Sequence, residues 1–420
     1  MNTSAMLTPP SKLPRVLLIL LLLGLALRGG FSLFLKEKAY QPDEGVYISL
    51  ARDLRAFGVY GEGGIPTADK PPVVPLGLAA SFSVFGQRLW IARLFNSLLS
   101  VLSAWLLYEY GTLLFGAAVG KIAAGIAALY PFFVYWSGIL MSETAAIFLV
   151  VSALYLTQRV VQKAGRPWEA WLAGLCWGLL VLTRAQNLYC FAVLAAWLAF
   201  DALRRRRTFP FLPFALPVIL LAGLWIARNH RLVGSWTMDT HSGYTMIIRT
   251  MFYDEDNIDT GVAHAALEKK DFYPAAMALS LAERDKFFFR KAVEYVRENP
   301  GLYLRHCAGN FLQFWRFWPR TDKTVGVVPG TYLFQSRNLF VLIALLTEPW
   351  LILLGAYGLY LGLREGLPVA LPALYILCNT GIHTLVISQM RYRMPVMPLV
   401  ILFAAFAAHR LMRSRQERHG

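Results

Sequence analysis

The sequence predicts a polytopic α-helical membrane protein. Three observations carry that prediction: 57% of the 420 residues are hydrophobic, only 16% are charged, and long apolar runs recur from one end of the chain to the other. A soluble domain carries about 45–50% apolar and about 25% charged residues, and the mean hydropathy of +0.48 lies on the membrane side of that boundary. The chain has 41 Lys and Arg against 25 Asp and Glu, a net +16. The basic residues are spread between apolar runs and not gathered on one polar domain, which argues against a nucleic-acid partner and for loops facing anionic lipid headgroups. Cys176, Cys190, Cys307 and Cys378 lie mostly inside apolar runs without CxxC spacing, so they read as packing residues.

The first run, 16–27, follows Lys12 and Arg15. It lacks a small-x-small cleavage site and continues through Arg28 into 31–35, which reads as an uncleaved signal anchor with a cytoplasmic N-terminus. Nine more runs follow at 89–115, 122–136, 144–156, 168–182, 188–200, 209–226, 349–363, 367–387 and 395–411, giving about ten spans. Alternating them from a cytoplasmic start puts Lys121, Arg159, Lys163, Arg166, the run Arg204 to Arg207, Arg364, Arg410, Arg413, Arg415 and Arg418 on one side. That is the positive-inside pattern, and it brings both termini to the cytoplasm. The opposite short loops carry only Arg184, Arg391 and Arg393, cations that the rule disfavours there. The expected organisation is a membrane module over 1–227 containing an external loop at 36–88, an external domain at 228–347 with a helix over 281–298 stopped by Pro300, and C-terminal helices over 348–420.

The first external loop contains Pro42-Asp43-Glu44, followed by Tyr47, Leu50, Ala51 and Leu54 at helical spacing. This predicts an amphipathic helix on the membrane surface whose start is marked by Pro42 and Asp43. The acidic pair has two readings: helix capping, or a carboxylate kept ionised by the helix N-terminus as a general base. Downstream, Asp69-Lys70-Pro71-Pro72 fixes an extended turn before an apolar stretch and presents Lys70 at headgroup level. Lys70 there is either a snorkelling lysine or a phosphate contact. Near the C-terminus Asn379, Thr380, His383 and Thr384 share one face of the ninth span, with Ser388 and Gln389 a turn beyond. Polar residues inside a membrane face the bundle interior, where His383 either bonds another helix or touches a substrate. Tyr392 and Trp90 read as interfacial anchors. The acidic stretch Asp254-Glu255-Asp256-Asn257-Ile258-Asp259 lacks the glycine and the bidentate Glu of a calcium loop, and reads as a solvated turn.

Pro42-Asp43-Glu44, Asp69-Lys70-Pro71-Pro72, Trp90-Ile91-Ala92-Arg93-Leu94, Met141-Ser142-Glu143, Thr183-Arg184 and Arg391-Tyr392-Arg393-Met394-Pro395 occur in one order over most of the chain. The ordered set resembles the GT-C glycosyltransferases of family 39, which include the protein O-mannosyltransferases, with the lipid A aminoarabinose transferases as close relatives. The resemblance implies a GT-C bundle with juxtamembrane helices in the first external loop and a small external domain, in a bacterial or archaeal inner membrane. It implies transfer, with inversion, of a sugar from a polyprenyl-phosphate donor to a lipid, glycan or protein acceptor on the external side. On that reading Asp43 is the catalytic base, Glu44 matches the second acidic position, and Glu143 faces the same cavity. Arg is suited to bidentate phosphate contact and Lys to point-charge contact, so Lys70, Arg184, Arg391 and Arg393 are the expected phosphate ligands, with His383 and Tyr392 beside them. No obligatory cofactor is implied. Asp43 and Glu143 could together supply hard oxygen ligands to a divalent ion, but two carboxylates do not complete a site. Asp239-Thr240-His241-Ser242-Gly243-Tyr244, soon after the seventh span, is placed to cover the cavity. A transporter or flippase is the competing class, but the repeated halves and paired broken helices of transporters are not evident.

Overall fold

The protein is described by a computed structural model covering residues 14–162, 166–252, 260–318 and 337–419. Lys12, Lys163 and the acidic stretch 254–259 lie outside these residues, as does the side chain of Arg418. The chain enters through α1 (Arg15–Phe34) and then lays down α2 (Pro42–Phe57), a hairpin of β1 (Gly61–Glu62) and β2 (Ile65–Pro66), and α3 (Val73–Phe85). Seven helices follow: α4 (Leu89–Phe115), α5 (Ala117–Leu129), α6 (Pro131–Ser137), α7 (Ser142–Gln162), α8 (Pro167–Val181), α9 (Asn187–Arg205) and α10 (Phe211–Val233). A polar segment holds α11 (Ser242–Met251), α12 (Thr260–Glu268), α13 (Tyr273–Met277), α14 (Leu281–Glu298) and α15 (Pro300–Phe314). Finally come α16 (Arg337–Arg364), α17 (Ala370–Leu385), a 3-10 turn (Met390–Arg393) and α18 (Met397–His419).

Each of the ten apolar runs falls mainly on helix. Among the described residues, α1, α4, α7, α9, α10, α16 and α18 are long and apolar enough to cross a membrane, and α5 with α6, bent by 54°, adds an eighth. The two remaining runs lie on α8 and α17, which have 15 and 16 residues. At 1.5 Å per residue such helices reach only about 22–24 Å, short of a hydrocarbon core of about 30 Å. Both stop on the side of the first loop. The irregular backbone after them carries Arg184 and Arg391, a kind of backbone tolerated at depth where it is enclosed by protein.

The bundle packs through small residues. A Cβ on Gly174 would sit 2.1 Å from the Phe214 carbonyl oxygen, and one on Gly178 2.7 Å from Leu221, so this four-residue pair seats α8 directly on α10. The break between α5 and α6 has a sequence cause. Pro131 has no N–H to give the Ala127 carbonyl, and buried Arg28 of α1 supplies the donor, bonding the carbonyls of Ala127 and Ala128 and the Ser100 hydroxyl. Following helix direction, Lys121, Arg159, Arg166, Arg204 to Arg207, Arg364 and Arg410 fall at the end of the bundle opposite the first loop. Pro300, expected to stop a helix, also opens α15, since Pro at the first helical position costs no hydrogen bond.

Candidate active site

The site is assembled at the first-loop end. Pro42 occupies the first turn of α2, and Gln41, not Asp43, is the cap residue. Asp43 therefore sits inside the first turn, where the unpaired N–H groups and the helix dipole favour a negative charge. The β1–β2 hairpin turns through Gly63 and Gly64 at φ +58° and +81°, the left-handed pair that a tight two-residue hairpin needs. Arg228 of α10 donates to the carbonyls of Tyr60 (2.6 Å) and Thr67 (2.5 Å), and the Tyr60 hydroxyl donates to the Lys70 carbonyl (2.8 Å). These bonds fix the backbone that presents Asp69 and Lys70.

The Asp43 carboxylate lies between two cations. Arg391 donates through Nη2 to Oδ2 at 2.9 Å, and Lys70 Nζ is 3.8 Å from Oδ1. Lys70 also lies 3.7 Å from Asp69, which in turn faces His241 Nδ1 at 3.1 Å. Burial pushes the Asp43 carboxyl up, but the charges of Arg391 and Lys70 and the Arg391 hydrogen bond outweigh it and hold the carboxyl below its ordinary value. The Asp69 carboxyl is likewise held low against burial, by its hydrogen bond with His241 and the Lys70 charge. Burial works against the Lys70 and Arg391 cations too, yet their anionic and phenolic neighbours raise both above their ordinary values.

Arg391 also donates to the Tyr392 hydroxyl (3.1 Å) with its guanidinium over the Tyr392 ring, while its Nε–H has no partner among the described residues. Tyr392 stacks on His383 at 4.8 Å and His383 on Phe314 at 5.8 Å, so these rings hold the 3-10 turn against α15 and α17. His383 Nδ1 lies 3.0 Å from the Ile387 carbonyl. This contact lies just past its own helix end, and Nε2 is buried without a partner among the described residues. Glu143 and Arg184 pair at 2.7 Å, and Arg184 also donates to Ser142 (3.0 Å). Glu143 Oε2 makes no hydrogen bond among the described residues.

Two of the expected site residues are drawn elsewhere. Glu44 is fully buried: its Oε1 accepts from Arg93 (3.2 Å) and the Leu140 N–H (3.0 Å), and its Oε2 from the Tyr40 N–H (2.7 Å). Adjacent residues on a helix diverge by about 100°, so while Asp43 faces Arg391, Glu44 points into the protein and ties α2 to α4. Arg393 is also fully buried, pairing with Glu348 and donating to the carbonyls of Phe314 (2.7 Å) and Arg316 (3.0 Å). As an outer-side cation that the positive-inside rule disfavours, Arg393 is expected among the phosphate ligands, but its partner Glu348, 45 residues away in α16, occupies it instead. For a divalent ion, no three His, Cys, Asp or Glu side chains converge among the described residues, and the carboxylates of Asp43 and Glu143 each face a guanidinium. Arg228 is the polar residue here that the motifs did not single out, and Asp69 and His241, each quoted within a longer stretch, are brought together only by the fold.

Beside this cluster an apolar cavity of about 450 Å³ runs between α3 and α4, lined by Val73, Leu78, Val84, Phe95, Leu99 and Leu140 among others. It begins three residues beyond Lys70. Helices of alternating direction, short spans that end in arginine-bearing turns, and an acidic juxtamembrane helix all coincide with one architecture. The chain has the GT-C fold.

Residues 69–226 match the family model described as dolichyl-phosphate-mannose-protein mannosyltransferase. The archaeal oligosaccharyltransferase AglB from Archaeoglobus fulgidus, in complex with an inhibitory peptide and a dolichol-phosphate, superposes with a TM-score of 0.50 at 14% identity, over 96% of this chain and 52% of that one. An Archaeoglobus fulgidus oligosaccharyltransferase tethered with an acceptor peptide via a disulfide bond gives 0.52 at 13% identity, over 95% and 50%. ArnT from Cupriavidus metallidurans bound to undecaprenyl phosphate gives 0.41 at 15% identity, over 94% and 76%. No curated protein sequence matches the chain. The chain thus spans about half the length of the oligosaccharyltransferases with which it shares the GT-C fold, and it is a multi-pass membrane protein.

Proposed function

We propose that the protein transfers a sugar from a polyprenyl-phosphate donor to an acceptor on the external side of the membrane, with inversion and with Asp43 as general base. The observation that carries this reading is the Asp43 carboxylate held at a helix N-terminus between Arg391 and Lys70, with an apolar cavity between α3 and α4 whose lining begins at Val73, three residues after Lys70. A donor of this class has two chemically distinct ends. Its isoprenoid tail suits the apolar cavity, and its phosphate suits Lys70 and the Arg391 Nε–H. Glu143, paired with Arg184, contributes a second negative charge near Arg391.

The resting ion pairs then acquire a role. An incoming phosphate competes with Asp43 for Arg391 and Lys70, and as those cations turn to the phosphate the Asp43 carboxylate becomes a stronger base. The acceptor oxygen attacks the anomeric carbon opposite the phosphate. The bond from that carbon to the phosphate oxygen breaks with its electron pair leaving on phosphate, and Asp43 takes the acceptor proton. The carboxylate also stabilises positive charge developing on the sugar, while Lys70 and Arg391 stabilise the departing phosphate, so the charge balance requires no divalent ion. The basic end of the bundle is cytoplasmic by the positive-inside pattern, which brings both termini there and the site outward. The acceptor belongs to the lipid, glycan or protein class. The chain is read as a membrane module at 1–227, an external domain at 228–347 and closing helices at 348–420.

The test is Asp43→Asn in the purified enzyme, assayed with the lipid-linked sugar identified by mass spectrometry of copurifying lipid. Transfer should be lost while undecaprenyl phosphate still binds. An Asp43→Asn protein with native transfer would overturn the assignment.

A further inference from the structure

Lys70 occupies an unusual place: its ammonium lies 3.8 Å from Asp43 on one side and 3.7 Å from Asp69 on the other. A lysine is a flexible point charge on a four-carbon stem, and nothing in its backbone decides between the two carboxylates. The backbone itself is fixed from beneath, by Arg228 on the carbonyls of Tyr60 and Thr67 and by the Tyr60 hydroxyl on the Lys70 carbonyl. What remains adjustable is the side-chain geometry.

That geometry is set from outside the loop. Asp69 is fixed from two directions: its N–H donates to Thr67 Oγ1 (3.2 Å), and its Oδ1 faces His241 Nδ1 at 3.1 Å. His241 belongs to the segment after α10, which is itself pinned to the loop by the Thr240 N–H donating to the Ala68 carbonyl (3.1 Å). Asp239 accepts from the His241 N–H (3.2 Å) and the Ser242 hydroxyl (2.7 Å), holding the histidine in place. Were Asp69 free to turn away, Lys70 would collapse onto Asp43, closing a tighter pair and withdrawing the cation from any incoming anion.

We propose that His241 is a positioning residue of the transfer reaction: through Asp69 it holds Lys70 between two carboxylates, in reach of the donor phosphate. This rests on the phosphate role given above to Lys70. It makes the segment that opens the outer domain a working part of the donor site, and it assigns Asp69 a function separate from that of Asp43. His241 Nδ1 donates to Asp69 as the imidazolium or as the neutral Nδ1–H tautomer, so an asparagine, whose amide nitrogen falls near the position of Nδ1, should substitute for it.

The experiment uses the full-length protein in nanodiscs with two probes, undecaprenyl phosphate and undecaprenol, whose difference in affinity reads the contacts to phosphate. His241 and Asp69 are partly exposed, and exposed pairs are weak, so Asp69→Asn and His241→Ala should each lower undecaprenyl phosphate affinity by about two- to fivefold. Undecaprenol binding should not change. The double variant should be no worse than either single, because both cut the same link, and His241→Asn should restore native affinity. Additive losses, or equal losses with undecaprenol, would overturn the positioning role. Should the native protein bind undecaprenyl phosphate no better than undecaprenol, the phosphate reading of Lys70 itself falls, whatever the variants do.

Discussion

Asp43 and Glu44 are neighbours that a sequence pattern treats as one acidic motif, and the structure separates their roles sharply enough to test. Glu44 is fully buried and accepts three hydrogen bonds, from Arg93, the Leu140 N–H and the Tyr40 N–H. In Glu44→Gln one carboxylate oxygen becomes an NH₂ group that must face at least one of those donors. The orphaned donor costs about 1–3 kcal/mol. Glu44→Ala goes further and strands the buried Arg93 cation, a loss of about 3–5 kcal/mol for one partner of a buried pair. No discount for solvent screening applies, since both side chains are at 0% exposure. Against a net stability of about 5–15 kcal/mol these losses are large. The assay is thermal unfolding in detergent, with the transfer rate expressed per folded molecule. Both variants should unfold at lower temperature in the order Ala below Gln, and the Gln variant should keep its transfer rate per folded molecule. A Glu44→Gln protein as stable as the native one but inactive would refute the reasoning and put Glu44 in the chemistry.

Further outcomes follow from the charges. Asp43 and Asp69 are held below their ordinary values, so the stability they contribute is present above the ordinary carboxylate pKa and is lost as pH falls through their lowered values. Lys70 is raised, so its contribution is complete below the ordinary lysine pKa and disappears only as pH rises through the raised value. A pH profile of thermal stability should therefore be flat across neutrality, with an acid limb that Asp69→Asn makes shallower; an unchanged acid limb in that variant would count against the ion-pair cluster. At the other buried pair, Arg393→Met should destabilise strongly by stranding Glu348, and adding Glu348→Gln, which keeps an acceptor for the Tyr130 hydroxyl, should recover part of the loss. Unfolding temperatures that simply add in the double variant would show that the pair does not act as a unit.

The apolar runs, the basic side of the bundle and the helix after Pro42 were readable from residues alone, while Asp43, Lys70 and Arg391 were grouped only by the family resemblance and were not paired with one another. The reason is physical. Partitioning into hydrocarbon and the asymmetry of lysine and arginine across a membrane are properties of local segments, and a carboxylate in a helix's first turn is a local feature too. Which cation serves which carboxylate is not local. Arg391 meets Asp43 across 348 residues of chain, whereas Arg393, two residues on, is captured by Glu348. Glu44, one residue past Asp43, is captured by Arg93. Along the sequence these charges look equivalent, because spacing records the face of a helix but not what lies opposite it. Only the packing of α2, α4, α16 and the 3-10 turn decided which charges are buried as structural pairs. The same packing left Asp43, Lys70 and Arg391 partly exposed, and it brought His241, which the sequence places only loosely over the cavity, against Asp69.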